Sequence, residues 1–290
     1  MSNFHVVAGA TETLAHPTVR KITIADLTNS LRAGLADFWE KPSHLVLLTI
    51  IYPVVGIALA IWMSGFYTWP LLYPLLGGFA LVGPFAAIGL YEISRRREAG
   101  LDTSWRHAFG VLQSPAIASI GAVALLVFAV FTLWLTAAQS LYEALFSAAP
   151  PMALDALLAQ ILTTPQGWTL IIVGNLIGFG FAIFTLCTTV VAFPLLIDRD
   201  VGALVAVQTS FRAVLKNPVP MAVWGLMVAA GIALGSLPLF VGLAIVIPVF
   251  GHATWHLYRK VIEPENADRP TTRRKRGAKP KTAAKAGKTA

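Results

Sequence analysis

Charge is scarce in this chain. Only 12% of its residues are Asp, Glu, Lys or Arg, against 56% hydrophobic, where a soluble domain carries roughly 25% charged residues. Sustained over 290 residues, that balance excludes an ordinary water-soluble globule. Cysteine is nearly absent. Cys187 is the only one, so an intramolecular disulfide is impossible, and its place in a hydrophobic run says nothing about redox compartment. The catalytic signatures are missing too. There is no glycine-rich phosphate loop followed by Lys, no G-x-S-x-G and no H-E-x-x-H. The first 19 residues contain no apolar core of a cleavable signal peptide. The first membrane helix is expected to act as the targeting signal.

Long apolar runs are what the chain does have. A run of about 20 residues crosses roughly 30 Å of hydrocarbon at about 1.5 Å per residue. Such runs predict spans at about 44–64, 69–93, 115–138, 168–197, 218–236 and 239–258. The fourth is long enough to need tilt or an extension past the bilayer. Residues 1–19 and 263–290 read as disordered ends, the second a basic tail with no apolar period. Residues 20–262 form one membrane domain.

One short pattern occurs in three places: Ser30-Leu31-Arg32, Ser104-Trp105-Arg106 and Ser210-Phe211-Arg212. Each copy continues to a large apolar residue three positions past the arginine, then to a proline (Pro42, Pro115, Pro218), then to a hydrophobic run. Thr23 and Asp26 form a weak capping box before the first copy. Ile24, Leu27, Leu31, Leu35 and Phe38 then share one helical stripe, with Asp26, Asn29, Asp37 and Glu40 opposite. Asp102 is expected to cap the second copy, where Trp105, Phe109 and Leu112 share a face. Leu204, Val207, Phe211 and Leu215 repeat the first stripe. These segments read as helices lying in the headgroup layer. Leu154, Leu157, Leu158, Ile161 and Leu162 predict a further interfacial helix, on the other side. The even-numbered spans echo one another at Gly78, Gly180 and Gly242, with Pro84, Pro194 and Pro248 after them, and basic residues close each unit. The expected fold is therefore all-α: six transmembrane helices in three parallel repeats, each an interfacial helix plus a hairpin, at about 20–98, 99–199 and 200–262.

All 22 Lys and Arg residues fall on one side of this arrangement or at its membrane edge, and only Glu143 and Asp155 carry charge on the other. The positive-inside rule makes the first side cytoplasmic, with both termini there. Trp62, Trp69, Trp134 and Trp168 mark the outer interface, and Trp39, Trp105 and Trp255 the inner one.

Ionisable residues inside a membrane usually mark function, and few are found here. Glu92 lies beside Arg95 and Arg96 at a span end, which reads as a helix-end ion pair, with proton handling as the alternative. Asn175 is the clearest polar residue inside a span. It reads as interhelical glue or, alternatively, as a substrate contact near Thr185, Thr188 and Thr189. His252 and His256 have the four-residue spacing of a metal pair, but no carboxylate or cysteine accompanies them in the sequence, so they are weak candidates and no metal or cofactor is expected. His44 and His107 sit at interfaces and are undiagnostic. Arg32, Arg106 and Arg212 are candidate lipid-phosphate contacts or interfacial anchors. The tail reads as a topology anchor with affinity for anionic lipid. Nucleic acid is not an expected partner, since no aromatics interleave with its basic residues.

The stretch Ile22–Glu98 resembles the bacterial integral membrane family known as domain of unknown function 2189 (DUF2189). The resemblance lies in Leu31-x-x-Gly34-x-x-Asp37-Phe38, Pro42, Tyr52-x-x-x-Gly56, Gly78-Phe79-x-Leu81-Val82-Gly83-Pro84 and Gly89-Leu90-Tyr91-Glu92-x-Ser94-Arg95-Arg96. It continues more weakly over Asp200–Arg259. It implies a multi-pass inner-membrane protein of proteobacterial type with no established activity. Some relatives are labelled oxidase subunits, a label that the histidines here do not support. Three classes of function follow. A structural, assembly or lipid- and partner-interaction protein, with membrane lipids and other inner-membrane proteins as partners, fits the lack of buried chemistry best. A small-solute transporter or channel is the alternative, and a redox subunit the third.

Overall fold

Thr23 and Asp26 start the first helix, as the sequence predicts. The Thr23 amide and hydroxyl donate to Asp26 Oδ2 at 2.9 and 2.8 Å, and the Asp26 amide donates back to Thr23 Oγ1 at 3.3 Å. This reciprocal cap satisfies groups that a helix start leaves open. A computed structural model describes residues 17–40, 69–146, 153–237 and 241–264. Its helices, in order, are α1 (Ile24–Glu40), α2 (Leu72–Ala86), α3 (Ile88–Glu98), α4 (Ile117–Phe146), α5 (Leu154–Thr163), α6 (Pro165–Thr189), α7 (Ala192–Asp198), α8 (Ala203–Lys216), α9 (Pro218–Ser236) and α10 (Leu243–Val261). A 3-10 helix, Trp105–Gln113, follows α3. Among the described residues there is no strand, only an antiparallel bridge between Val19 and Ile262.

Three described helices are long and apolar enough to cross a membrane: Ile117–Phe146, Pro165–Asp198 and Pro218–Ser236. A bent pair over Trp69–Ala86 makes four if counted as one span. These correspond to the second to fifth predicted spans. The first falls outside the described residues. The sixth is α10, which has the length but is mostly buried in protein and carries His252, His256, Arg259 and Lys260. The prolines place the bends. A proline lacks the N–H that would bond the carbonyl four residues back, and its ring crowds that carbonyl. The 41° bend after Gly78 falls just before Ala80, four residues ahead of Pro84. The break between α6 and α7 falls at Val190, four residues ahead of Pro194.

The predicted stripe of α1 is rotated. Leu27 and Phe38 are buried, but Ile24 and Leu35 are exposed, and Ser30 and Gly34 join the buried face. The reason is that α1 packs along α10, and small residues let two backbones approach. A periodic pattern does not say which apolar side chains meet lipid and which meet protein. The second interfacial segment is a 3-10 helix, with Trp105, Phe109 and Leu112 all exposed. Asp102 accepts from the Ser104 amide at 3.1 Å. On α8, Leu204, Phe211 and Leu215 are exposed while Ser210 is buried. The glycine echo is uneven. Cβ atoms at Gly78 and Gly242 would collide with Phe131 and Gly235, whereas one at Gly180 would meet nothing. Among the tryptophans, Trp39, Trp105 and Trp168 are exposed, but Trp134 and Trp255 are buried. Trp134 donates to the Pro74 carbonyl at 2.7 Å, so it joins helices instead of marking an interface.

Segment 17–22 lies along the end of α10. The Arg20 amide donates to the Val261 carbonyl at 2.7 Å, and the Glu263 amide to the Thr18 carbonyl at 3.0 Å. Buried Asn217, at the α8–α9 corner, holds this segment. Its Oδ1 accepts from the Ile22 amide at 2.9 Å, and its Nδ2 donates to the Arg20 carbonyl at 3.0 Å.

Candidate functional site

The helix ends that the sequence marks with basic residues meet in one polar cluster. Its centre is Asp37 of α1, whose side chain is only 4% exposed. Arg97 and Ser94 of α3 and His256 of α10 donate to its carboxylate, His256 Nε2 at 2.9 Å from Oδ2. His252 Nδ1 lies 2.8 Å from Ser94 Oγ and 3.9 Å from Asp37 Oδ2. A serine hydroxyl has one proton to give. With Ser94 donating to Asp37, His252 must carry its proton on Nδ1 and donate to Ser94. Burial alone would raise the Asp37 carboxyl, but the hydrogen bonds from His256 and Ser94 and the two nearby imidazoles outweigh it and hold the group below 3.8.

This overturns the view that the histidine pair has no carboxylate. Asp37 supplies it from more than two hundred residues away in sequence. It also overturns the placement of Asp37 on an open polar face. The two imidazoles turn to a carboxylate and a hydroxyl. No grouping of three or more His, Cys, Asp or Glu side chains fit to hold a metal ion occurs among the described residues.

Around this centre the charges pair off. Glu98 accepts from Trp255 Nε1 at 3.0 Å and Arg259 Nε at 2.9 Å. Asp198 accepts from Tyr258 at 2.6 Å. Arg95 donates to both oxygens of buried Glu92, at 2.7 and 2.8 Å. Asn175 is elsewhere and exposed. Its Oδ1 accepts from Tyr73 at 2.7 Å, and its Nδ2 donates to the Ile171 carbonyl. Thr188 and Thr189 donate to carbonyls of their own helix. The three threonines are buried, Thr185 Oγ1 without a hydrogen-bond partner among the described residues, while Asn175, ten residues before Thr185 on the same helix, is exposed. Arg32, Arg106 and Arg212 are all exposed.

Comparison with known families adds one finding. Residues 72–198 match the family described as Predicted integral membrane protein (DUF2189). The protein is an integral membrane protein, and this segment, under half of the chain, is similar to the family that the sequence resembles. The DUF2189 match runs from α2 through α7, so it shares residues 72–98 with the resembling stretch and extends beyond it. Of the polar cluster, Ser94, Arg97, Glu98 and Asp198 lie inside the DUF2189 segment, while Asp37, His252 and His256 lie outside. Neither the curated proteins nor the solved structures give a match.

Proposed function

We propose that this protein is a six-span bacterial inner-membrane protein with both termini cytoplasmic, working as a structural, assembly or lipid- and partner-interaction element. One observation carries this reading. Polar side chains of the spans bond a neighbouring helix, as in Tyr73–Asn175 and Trp134–Pro74, or a carbonyl of their own helix, as in Thr188 and Thr189. The ionised groups gather in mutual pairs around Asp37, Glu98 and Asp198. The exposed surface of α4, α6 and α9 is apolar, with Leu125, Leu176 and Leu226 each more than 60% exposed, as a lipid-facing wall requires. Exposed Trp39, Trp105 and Phe211 beside the exposed arginines suit interfacial helices in three parallel repeats.

Reporter fusions at Thr68 and Lys285 should report opposite compartments. The same compartment for both would end the six-span topology. The role is tested by reconstitution. Purified protein should bring defined lipids or proteins out of mild detergent and should leave liposomes impermeable to small solutes. Solute flux would replace this reading with transport, and a haem band in the visible spectrum would replace it with redox.

A further inference from the structure

Beside Asp37 a groove of about 760 Å³ opens between α1, the end of α3, α10 and segment 17–22. Four of its lining side chains are cationic: Arg20, Arg97, Arg259 and Lys260. Two are carboxylates, Asp37 and Glu98. Both carboxylates are engaged, Asp37 by Arg97 and Glu98 by Arg259. Arg97 also pairs with Glu40 and Arg259 with Asp198, so among the lining cations Arg20 and Lys260 are the two in no ion pair with a described residue. Arg20 donates its Nη2 to the carbonyls of Arg259 and Ile262, which satisfies hydrogen bonds but neutralises nothing. Asp26, whose carboxyl is held low first by its hydrogen bonds with Thr23, also feels both cations.

A second observation is independent of charge. Ser30 lines the groove, is 1% exposed, and its Oγ has no hydrogen-bond partner. A buried hydroxyl in that condition is costly, and an oxygen entering the groove would satisfy it. Asn29 adds an amide to the same wall.

We propose that this groove binds a phosphate group. A phosphate offers several acceptor oxygens to a guanidinium, an ammonium and a hydroxyl at once. A divalent cation would be repelled by Arg20 and Lys260, and a neutral ligand would leave both without an anionic partner. The phosphate belongs either to an anionic lipid headgroup or to a soluble phosphate. The inference deepens the lipid-interaction reading and rests on it only for the lipid source. The arginines that the repeat singles out are not the ones used: Arg32, Arg106 and Arg212 do not line the groove.

The test uses the full chain in a phosphate-free sugar detergent. Its thermal unfolding is followed against inorganic phosphate, with sodium chloride at matched ionic strength as control, and against phosphatidylglycerol in mixed micelles. A saturable rise in midpoint is expected, with apparent affinity at least tenfold weaker in Lys260→Gln and in Ser30→Ala. Lys260 is exposed, so its variant should fold normally. Saturation by inorganic phosphate identifies a soluble source, and saturation by phosphatidylglycerol alone identifies the headgroup. No saturable response to either, or the same response in wild type and both variants, overturns the groove. A protein that fails this test yet still co-purifies with lipids or partners leaves the scaffold reading intact. Solute flux through a phosphate-responsive protein would overturn only the scaffold.

Discussion

Gly34 of α1 and Ala253 of α10 touch backbone to backbone. A Cβ on Gly34 would lie 2.4 Å from the Ala253 nitrogen and 2.6 Å from its Cβ. Neither atom can rotate out of the way. Gly34→Ala should therefore push the helices apart and cost about 1–3 kcal/mol, more than the gain of roughly 1 kcal/mol from replacing a helical glycine. Gly180→Ala is the opposite case, since nothing lies within 4 Å. It should stabilise by up to about 1 kcal/mol. Thermal unfolding of both variants in detergent checks the contrast.

Asp37→Asn should cost about 3–5 kcal/mol, because Arg97 and His256 lose a buried anionic partner. The pH dependence follows from its lowered carboxyl. A folded-state value below 3.8 makes a contribution that is complete above 3.8 and disappears as pH falls through the folded value. The gap in unfolding midpoint between wild type and Asp37→Asn should be widest near neutrality and should close in acid. A gap independent of pH would show that the carboxylate charge is not what binds α1 to α10.

The repeated serine separates into two roles. Ser210 Oγ accepts from the Val191 amide at 3.2 Å, just where Pro194 interrupts the helix ladder. Ser210→Ala should leave that buried amide unpaired and cost about 1–3 kcal/mol. Ser30 Oγ has no such partner, so Ser30→Ala should be neutral or slightly stabilising without ligand. Equal losses in the two variants would contradict this assignment.

Asn217→Ala removes the acceptor for the Ile22 amide and the donor to the Arg20 carbonyl. The loss should be about 2 kcal/mol and local. Limited proteolysis should cut within residues 17–22 while the helices remain folded. Cleavage at the wild-type rate would mean that the bridge and Lys216, which donates to the Val19 carbonyl at 2.7 Å, hold the segment alone.

Replacing Arg32, Arg106 and Arg212 together with Glu should impair insertion, since all three are exposed and would then oppose an anionic leaflet. Membrane fractionation after expression checks it, and normal insertion would remove these residues as anchors.

Composition and the period of the apolar residues determined the all-helical membrane class, the start of α1 at Thr23, the apolar helix at Leu154–Thr163 and the fifth span at Pro218–Ser236. These are local or length-based features, and hydrophobic length is a property of one segment. Tertiary packing decided the rest. The sequence could show that His252 and His256 share a helix face. It could not show that Asp37 would reach them, because that pairing needs α1 and α10 to cross at Gly34, and the crossing depends on contacts between segments far apart in sequence. The same limit rotated the stripe of α1, placed Trp134 and Trp255 inside, and left Gly180 without a neighbour. Scarce charge told where the protein resides; only the folded arrangement shows that Asp37, Glu40, Glu92, Glu98 and Asp198 are gathered with their cations around the meeting point of α1, α3, α7 and α10, because buried ions are tolerated where partners converge.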